Sequence, residues 1–323
     1  MRQLYKTAGL DLPHASESDK LHRVLSSAIQ HRCRIHPTTS TALLANPLVE
    51  TQEFQRTTES NCYAYWNAQH FNLHNTRIFQ QATPEEQTLI LRVASQGLLE
   101  EAYFIEKAGV GYMAKMVMLS ETTEERMLYA LFSADETYHL AQIMRFLPHH
   151  QPAGTDDAFL RFLADLVENE DKTVILFVLQ VVLEGWGLSH YRTLAKGCQH
   201  PEFAQVLTGF LADESRHHAT GVTLFKQHPL SPNSRKVIVE TLAYFLQMIQ
   251  VGPQRVVAAI EQVLGPLSRY QKIQLFEELE TETHSGTRLA LLHSLIGKET
   301  AGTILQDLEA RNAFRPLPAY LCA

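Results

Sequence analysis

Phe132-Ser133-Ala134-Asp135-Glu136-Thr137-Tyr138-His139 returns later in the chain as Phe210-Leu211-Ala212-Asp213-Glu214-Ser215-Arg216-His217. Both copies read FxADExxH. On a helix, residues three apart project from neighbouring places on one face. Glu136 with His139, and Glu214 with His217, can therefore each offer a carboxylate and an imidazole to one transition-metal ion. Two such helices packed face to face make a pair of metal sites, provided that each of two further helices contributes one more glutamate.

Hairpin geometry selects those two glutamates, because residues equally far from the turn of an antiparallel pair lie at one height. Glu136 lies fifteen residues after Glu121 and Glu106 fifteen before it, while Glu214 and Glu184 lie fifteen either side of Gln199. Both pairs are thus thirty residues apart (136 − 106 and 214 − 184). Glu184 is the only acid between Lys172 and Gln199 and comes directly after the apolar run Val174 to Leu183. A carboxylate buried there is costly unless it is paired or metal-bound. Glu100 and Glu101 compete with Glu106, but they sit one to two turns from the level of Glu136.

A metal-bound imidazole needs its other N–H held by an acceptor. Asp135 and Asp213 precede the ligand glutamates and are expected to reach across, Asp135 to His217 and Asp213 to His139. Gly109, Gly111, Gly187 and Ser189 leave room beyond the acids, for metals or for close helix packing. Tyr112, Tyr138 and Tyr191 could line the site.

The rest of the chain excludes competing classes. A net charge of −7 over 323 residues leaves no basic surplus for nucleic acid. Residues 1–20 lack the apolar stretch of a signal peptide. The run VILFVLQVVL at 174–183 is too short to span a bilayer, so it reads as a buried core helix and no membrane partner is expected. Cys33, Cys62, Cys198 and Cys322 are scattered without CxxC spacing, which excludes a thiolate metal site and fits a reducing cytoplasm.

Helix signals organise the middle of the chain. Thr83-Pro84-Glu85-Glu86 reads as a cap, a proline at the first helical position and early acids. From there a helix runs to about Leu119. A second, capped by Thr122 or Thr123, ends near Pro148. A third runs from Asp157 to about Lys196, and a fourth from Pro201 to about Gln227. Flanking helices are expected near Glu17 to His31, Phe54 to His70, on both sides of a kink at Gly252-Pro253, from about Pro266, and at Thr300 to Asn312. No linker separates domains. The expectation is one all-α domain over 1–323, with a core bundle at about 86–227 and flanking helices in 1–85 and 228–323.

Four carboxylates and two imidazoles suit iron or manganese, whereas structural zinc favours thiolates. The order Glu, Glu-x-x-His, Glu, Glu-x-x-His resembles that of the ferritin-like di-iron carboxylate proteins, whose members include desaturases, aldehyde-deformylating oxygenases, monooxygenases and ferritins. The resemblance covers about Glu86 to Gln227. It implies a ferritin-like four-helix bundle with extra N- and C-terminal helices, two bound iron ions (manganese at one site is allowed), and a non-haem, O2-activating oxidoreductase. It also implies a small-molecule substrate and an electron donor or reductase, and it allows a homodimer.

The nearest likeness is to the p-aminobenzoate N-oxygenase family, which implies N-oxygenation of an amine. In that family's roles Glu136 and Glu214 bridge, with Glu106 and His139 on one iron and Glu184 and His217 on the other. The chain departs from the family at Phe210, where the family carries a further histidine. The alternatives are a desaturase or an aldehyde or acyl-chain oxygenase of the same superfamily, and a ferritin-like ferroxidase. A bare store needs neither flank.

Overall fold

The computed structural model describes residues 20–21, 23–25, 28, 64–147, 157–299 and 303–323. Among these no strand forms, and the one β-type pairing is an isolated antiparallel bridge between Trp66 and Cys198. The helices are α1 (Arg77–Gln81), α2 (Pro84–Leu119), α3 (Thr123–Met144), α4 (Ala158–Asn169), α5 (Lys172–Gly197), α6 (Pro201–Phe225), α7 (Pro232–Gln250), α8 (Gln254–Leu264), α9 (Arg269–Glu278), α10 (Thr281–Glu299), α11 (Thr303–Ala310) and α12 (Ala319–Cys322). The chain gathers into two compact units, one of Met1–Cys62 with Tyr103–Arg145, the other of Tyr63–Ala102 with Phe146–Ala323.

In the first unit the second half of α2 and all of α3 form a helical hairpin. Ser120 Oγ donates to the Met116 carbonyl at 2.8 Å, and the Thr122 hydroxyl accepts from the Glu125 N–H at 3.1 Å. The Glu125 carboxylate accepts from the Glu121 N–H at 2.8 Å, so the turn's exposed amides are satisfied within three residues of the helix start. Met113, Met116, Leu128 and Phe132 are among its buried apolar side chains.

The second unit starts α2 with a capping box. The Thr83 hydroxyl accepts from the Glu86 N–H at 3.2 Å, and the Glu86 carboxylate accepts from the Thr83 N–H at 2.8 Å. His200 and Pro201 open α6 in the same spirit, with the imidazole of His200 accepting from the Phe203 N–H at 3.3 Å. An aromatic core joins α4, α5 and α7. Phe245 lies 5.7 Å from Phe162, 5.9 Å from Phe159 and 5.6 Å from Trp186, ring centre to ring centre. Helix α5 is long and apolar enough to cross a membrane, but 61% of its most apolar window is buried inside the protein. That is the packing of a core helix.

The structure corrects several boundaries. The helix expected at Phe54 to His70 is absent over residues 64–70, which form extended and turn structure; residues 54–63 lie outside the described set. The cause is local. Trp66 donates its N–H to Ser95 Oγ and its indole N–H to the Leu194 carbonyl, and the Gln199 N–H donates to the Tyr65 carbonyl at 2.7 Å. These bonds hold the segment extended along the α5–α6 turn.

The long third helix is broken at Glu170-Asp171, because Asp171 caps α5, its carboxylate accepting from the Val174 N–H at 3.0 Å. The segment after Pro266 is likewise two helices, parted at Glu280, whose φ of 51° is left-handed. At the expected kink, Gly252 adopts φ 78° and α7 ends outright at Gln250. The last expected helix begins at Thr303 and ends at Ala310. Of the segment Glu17 to His31, the six described residues are helical.

Phe245 is fully buried at the centre of the aromatic core. Phe245→Ala should lower unfolding stability by about 3–5 kcal/mol in urea denaturation monitored by far-UV circular dichroism. A loss under about 1 kcal/mol would mean that the cluster closes over the vacated space.

Candidate metal centre

In the first unit, α2 supplies Glu106 and α3 supplies Glu136 and His139. All three are buried, His139 completely. His139 Nδ1 lies 3.2 Å from a Glu106 carboxylate oxygen, which fixes the two helices at the height that the hairpin argument expects. Each of the three side chains offers a ligand atom within 4.8 Å of the others. Gly109, nearly one turn beyond Glu106, makes the room: a Cβ there would stand 2.9 Å from Glu136 Cδ. No side chain fits at 109 while the Glu136 carboxylate occupies its present place.

In the second unit, α5 supplies Glu184 and α6 supplies Glu214 and His217. His217 Nδ1 stands 3.7 Å from carboxylate oxygens of both glutamates. These three also offer ligand atoms within 4.8 Å of one another. The separation between histidine and opposing glutamate is the same in both units, 33 residues (139 − 106 and 217 − 184). Each unit therefore carries one buried Glu, Glu-x-x-His triad that could hold a metal ion.

The π-helical turn Leu176–Leu183, fully buried, leads straight into Glu184. Its i→i+5 hydrogen bonding fits an extra residue into the turn and re-aims the side chains beyond it, a feature frequent at functional sites. Gln180, the one polar residue of the apolar run, donates its amide to the His217 carbonyl at 2.9 Å and so ties the π turn to the ligand helix. Gly221 allows this approach, since a Cβ there would stand 2.7 Å from Gln180 Cβ and 3.1 Å from its backbone carbon. Helical periodicity gives no sign of the π turn. The lone glutamine inside an apolar run is the one signal of it in the sequence.

Other expected residues take clear places. Glu101 is engaged by Arg255, and Glu100 accepts from the Gln96 amide at 2.8 Å. Asp135 is buried; Asp213 is engaged by Arg216 on its own helix, a contact that sequence spacing did not anticipate. Tyr112 and Tyr191 are buried, whereas Tyr138 is 50% exposed and faces away from a buried site. Phe210 packs edge-on to Tyr191 with ring centres 5.7 Å apart, so the position that departs from the N-oxygenase pattern belongs to an apolar contact.

The donor chemistry fits a hard divalent metal. Two ionised carboxylates per triad carry a charge of about −2 into a buried place, costly without compensation, and one divalent cation cancels it. The two triads together match two iron ions in number and charge. Gly109→Ala should retain the helical circular dichroism spectrum while weakening Fe(II) binding by about ten-fold or more in equilibrium dialysis, because Glu136 must move. Unchanged affinity would show that Glu136 binds as well from another position.

No protein-family model, no curated protein and no solved structure matches the chain.

Proposed function

We propose that the two triads are the halves of one di-iron centre in a ferritin-like four-helix bundle of α2, α3, α5 and α6, and that the protein is an O2-activating oxidoreductase acting on a small organic substrate. The observation that carries this reading is the matched pair of buried triads, each built from a Glu-x-x-His helix and a glutamate on the helix before it. Glu106, Glu136 and His139 would hold one iron, and Glu184, Glu214 and His217 the other. When bound, the iron pair supplies the two electrons that begin O2 reduction, and an external donor restores them.

The chain's own residues do the rest. The fully buried run Leu176–Leu183 keeps water from the Glu184 side. Gln180 fixes the backbone of His217, and Gly109 keeps the Glu136 carboxylate in place. Asp135 and Asp213 remain the proposed holders of His217 and His139. For an arylamine substrate, one amine, one O2, two electrons and two protons give one hydroxylamine and one water. An acyl chain or aldehyde is the alternative substrate, since Phe210 occupies the place of the N-oxygenase family's extra histidine.

Purified protein supplied with Fe(II) without oxygen should take up two irons per chain. Glu184→Ala should lose at least one of them, whereas Glu101→Ala should keep both, because Glu101 serves Arg255. Admitting O2 should consume it in step with oxidation of an arylamine, or of an acyl chain. Uptake of many irons per chain, with O2 consumed and no organic product, would replace the oxygenase with a store. Full iron content in Glu184→Ala would remove that residue from the site.

A further inference from the structure

The second unit holds another group of chemically capable side chains, which the metal triads do not use. Arg288 on α10, His190 on α5 and His70 before α1 share one neighbourhood, since the charge of Arg288 acts on both imidazoles. Helices α5 and α10 touch where Gly185 meets Leu295; a Cβ at 185 would stand 3.0 Å from a Leu295 methyl. Arg288 lies seven residues before Leu295, two turns along the same face of α10.

Arg288 is enclosed by protein and open to water at once. It keeps exposed surface, yet desolvation by its surroundings lowers its pKa, an effect that the charge of Glu101 opposes. His190 and His70 are also part-exposed, and desolvation first, then the charge of Arg288 among others, brings each to about 4. Groups with this combination line a recess. Both imidazoles are therefore neutral near pH 7, and the guanidinium is the recess's free cation among the described residues. Arg255, the neighbouring cation, is taken: it binds Asp157 at 2.7 Å and also engages Glu101. Among the described residues none accepts a hydrogen bond from Arg288 or pairs with it, and the ring nitrogens of His190 and His70 likewise have no hydrogen-bond partner. A guanidinium left with open donors beside two neutral imidazoles is a ready receptor for a carboxylate or phosphate.

We infer that Arg288, His190 and His70 form an anion-binding recess that receives the carboxylate or phosphate group of the substrate. His190 comes six residues after Glu184 on α5, so the anion sits about 9 Å along the helix from the ligand glutamate. The substrate is then an organic anion whose oxidised atom lies several bonds from its charged end. This assignment of substrate class rests on the oxygenase reading above, but the anion site itself can be measured without it.

The chain provides its own probe. It has two tryptophans, and each stacks on one of the two imidazoles, Trp186 on His190 at 5.7 Å and Trp66 on His70 at 5.6 Å. Tryptophan fluorescence of the full chain as purified should change saturably on titration with octanoate or with phenyl phosphate, and the tighter of the two identifies the anion. The neutral octanol and phenol should give no saturable change at the same concentrations. Arg288→Gln should weaken the response by about ten-fold or more, and Arg288→Lys should restore part of it.

Equal responses to the neutral analogues, or unchanged affinity in Arg288→Gln with an unaltered melting curve, would overturn the anion recess. So would the absence of any response to either anion. If the anion response is present and iron uptake fails, the di-iron reading falls alone. If two irons bind and no anion response is found, only the recess falls.

Discussion

A carboxylate taken out of water needs a positive charge close by, and this protein buries such groups in matched threes. Glu106, Glu136 and His139 form one triad, Glu184, Glu214 and His217 the other. Neither imidazole, if neutral, offsets the carboxylates beside it. Hydrophobic burial of the surrounding helices is therefore opposed by the acids placed among them, and a divalent cation in each triad turns that opposition into binding energy. Much of the local architecture serves to keep these six groups in reach of a metal.

Backbone features serve that end more than side-chain packing does. Gly109 is small because the Glu136 carboxylate fills the space where its Cβ would be. Gly221 is small because the π turn carrying Gln180 lies against it. The π turn in turn ends at Glu184, the one acid of an otherwise apolar helix stretch. The acids that stay outside the triads are neutralised separately. Arg255 holds Glu101 and Asp157, and Arg216 holds Asp213. Arg288 alone among the described arginines near α5 lacks such an acid, and that difference points to a ligand.

The triads were legible in sequence because they obey local rules. A repeated Glu-x-x-His and equal distances from two turns point to Glu106 and Glu184, and the 3.2 Å approach of His139 to Glu106 is the consequence of that register. Capping chemistry likewise located the start of α2 at Pro84 and of α6 at Pro201. Features that depend on distant partners were not legible. The extended segment at Tyr65-Trp66 is set by bonds to Ser95, Leu194 and Gln199, far along the chain. The cap at Asp171 was hidden because periodicity runs through the break. The grouping of His70, His190 and Arg288 depends on tertiary packing, which no spacing rule encodes.

The most direct test of the central claim is anomalous X-ray diffraction at the iron edge from crystals grown with Fe(II) under anaerobic conditions. The account predicts two peaks per chain, one bonded to His139 and one to His217, each at about 2.0–2.2 Å from nitrogen and carboxylate oxygen, the range of first-row metal bonds to these donors. A single peak, or peaks that avoid either histidine, would contradict it.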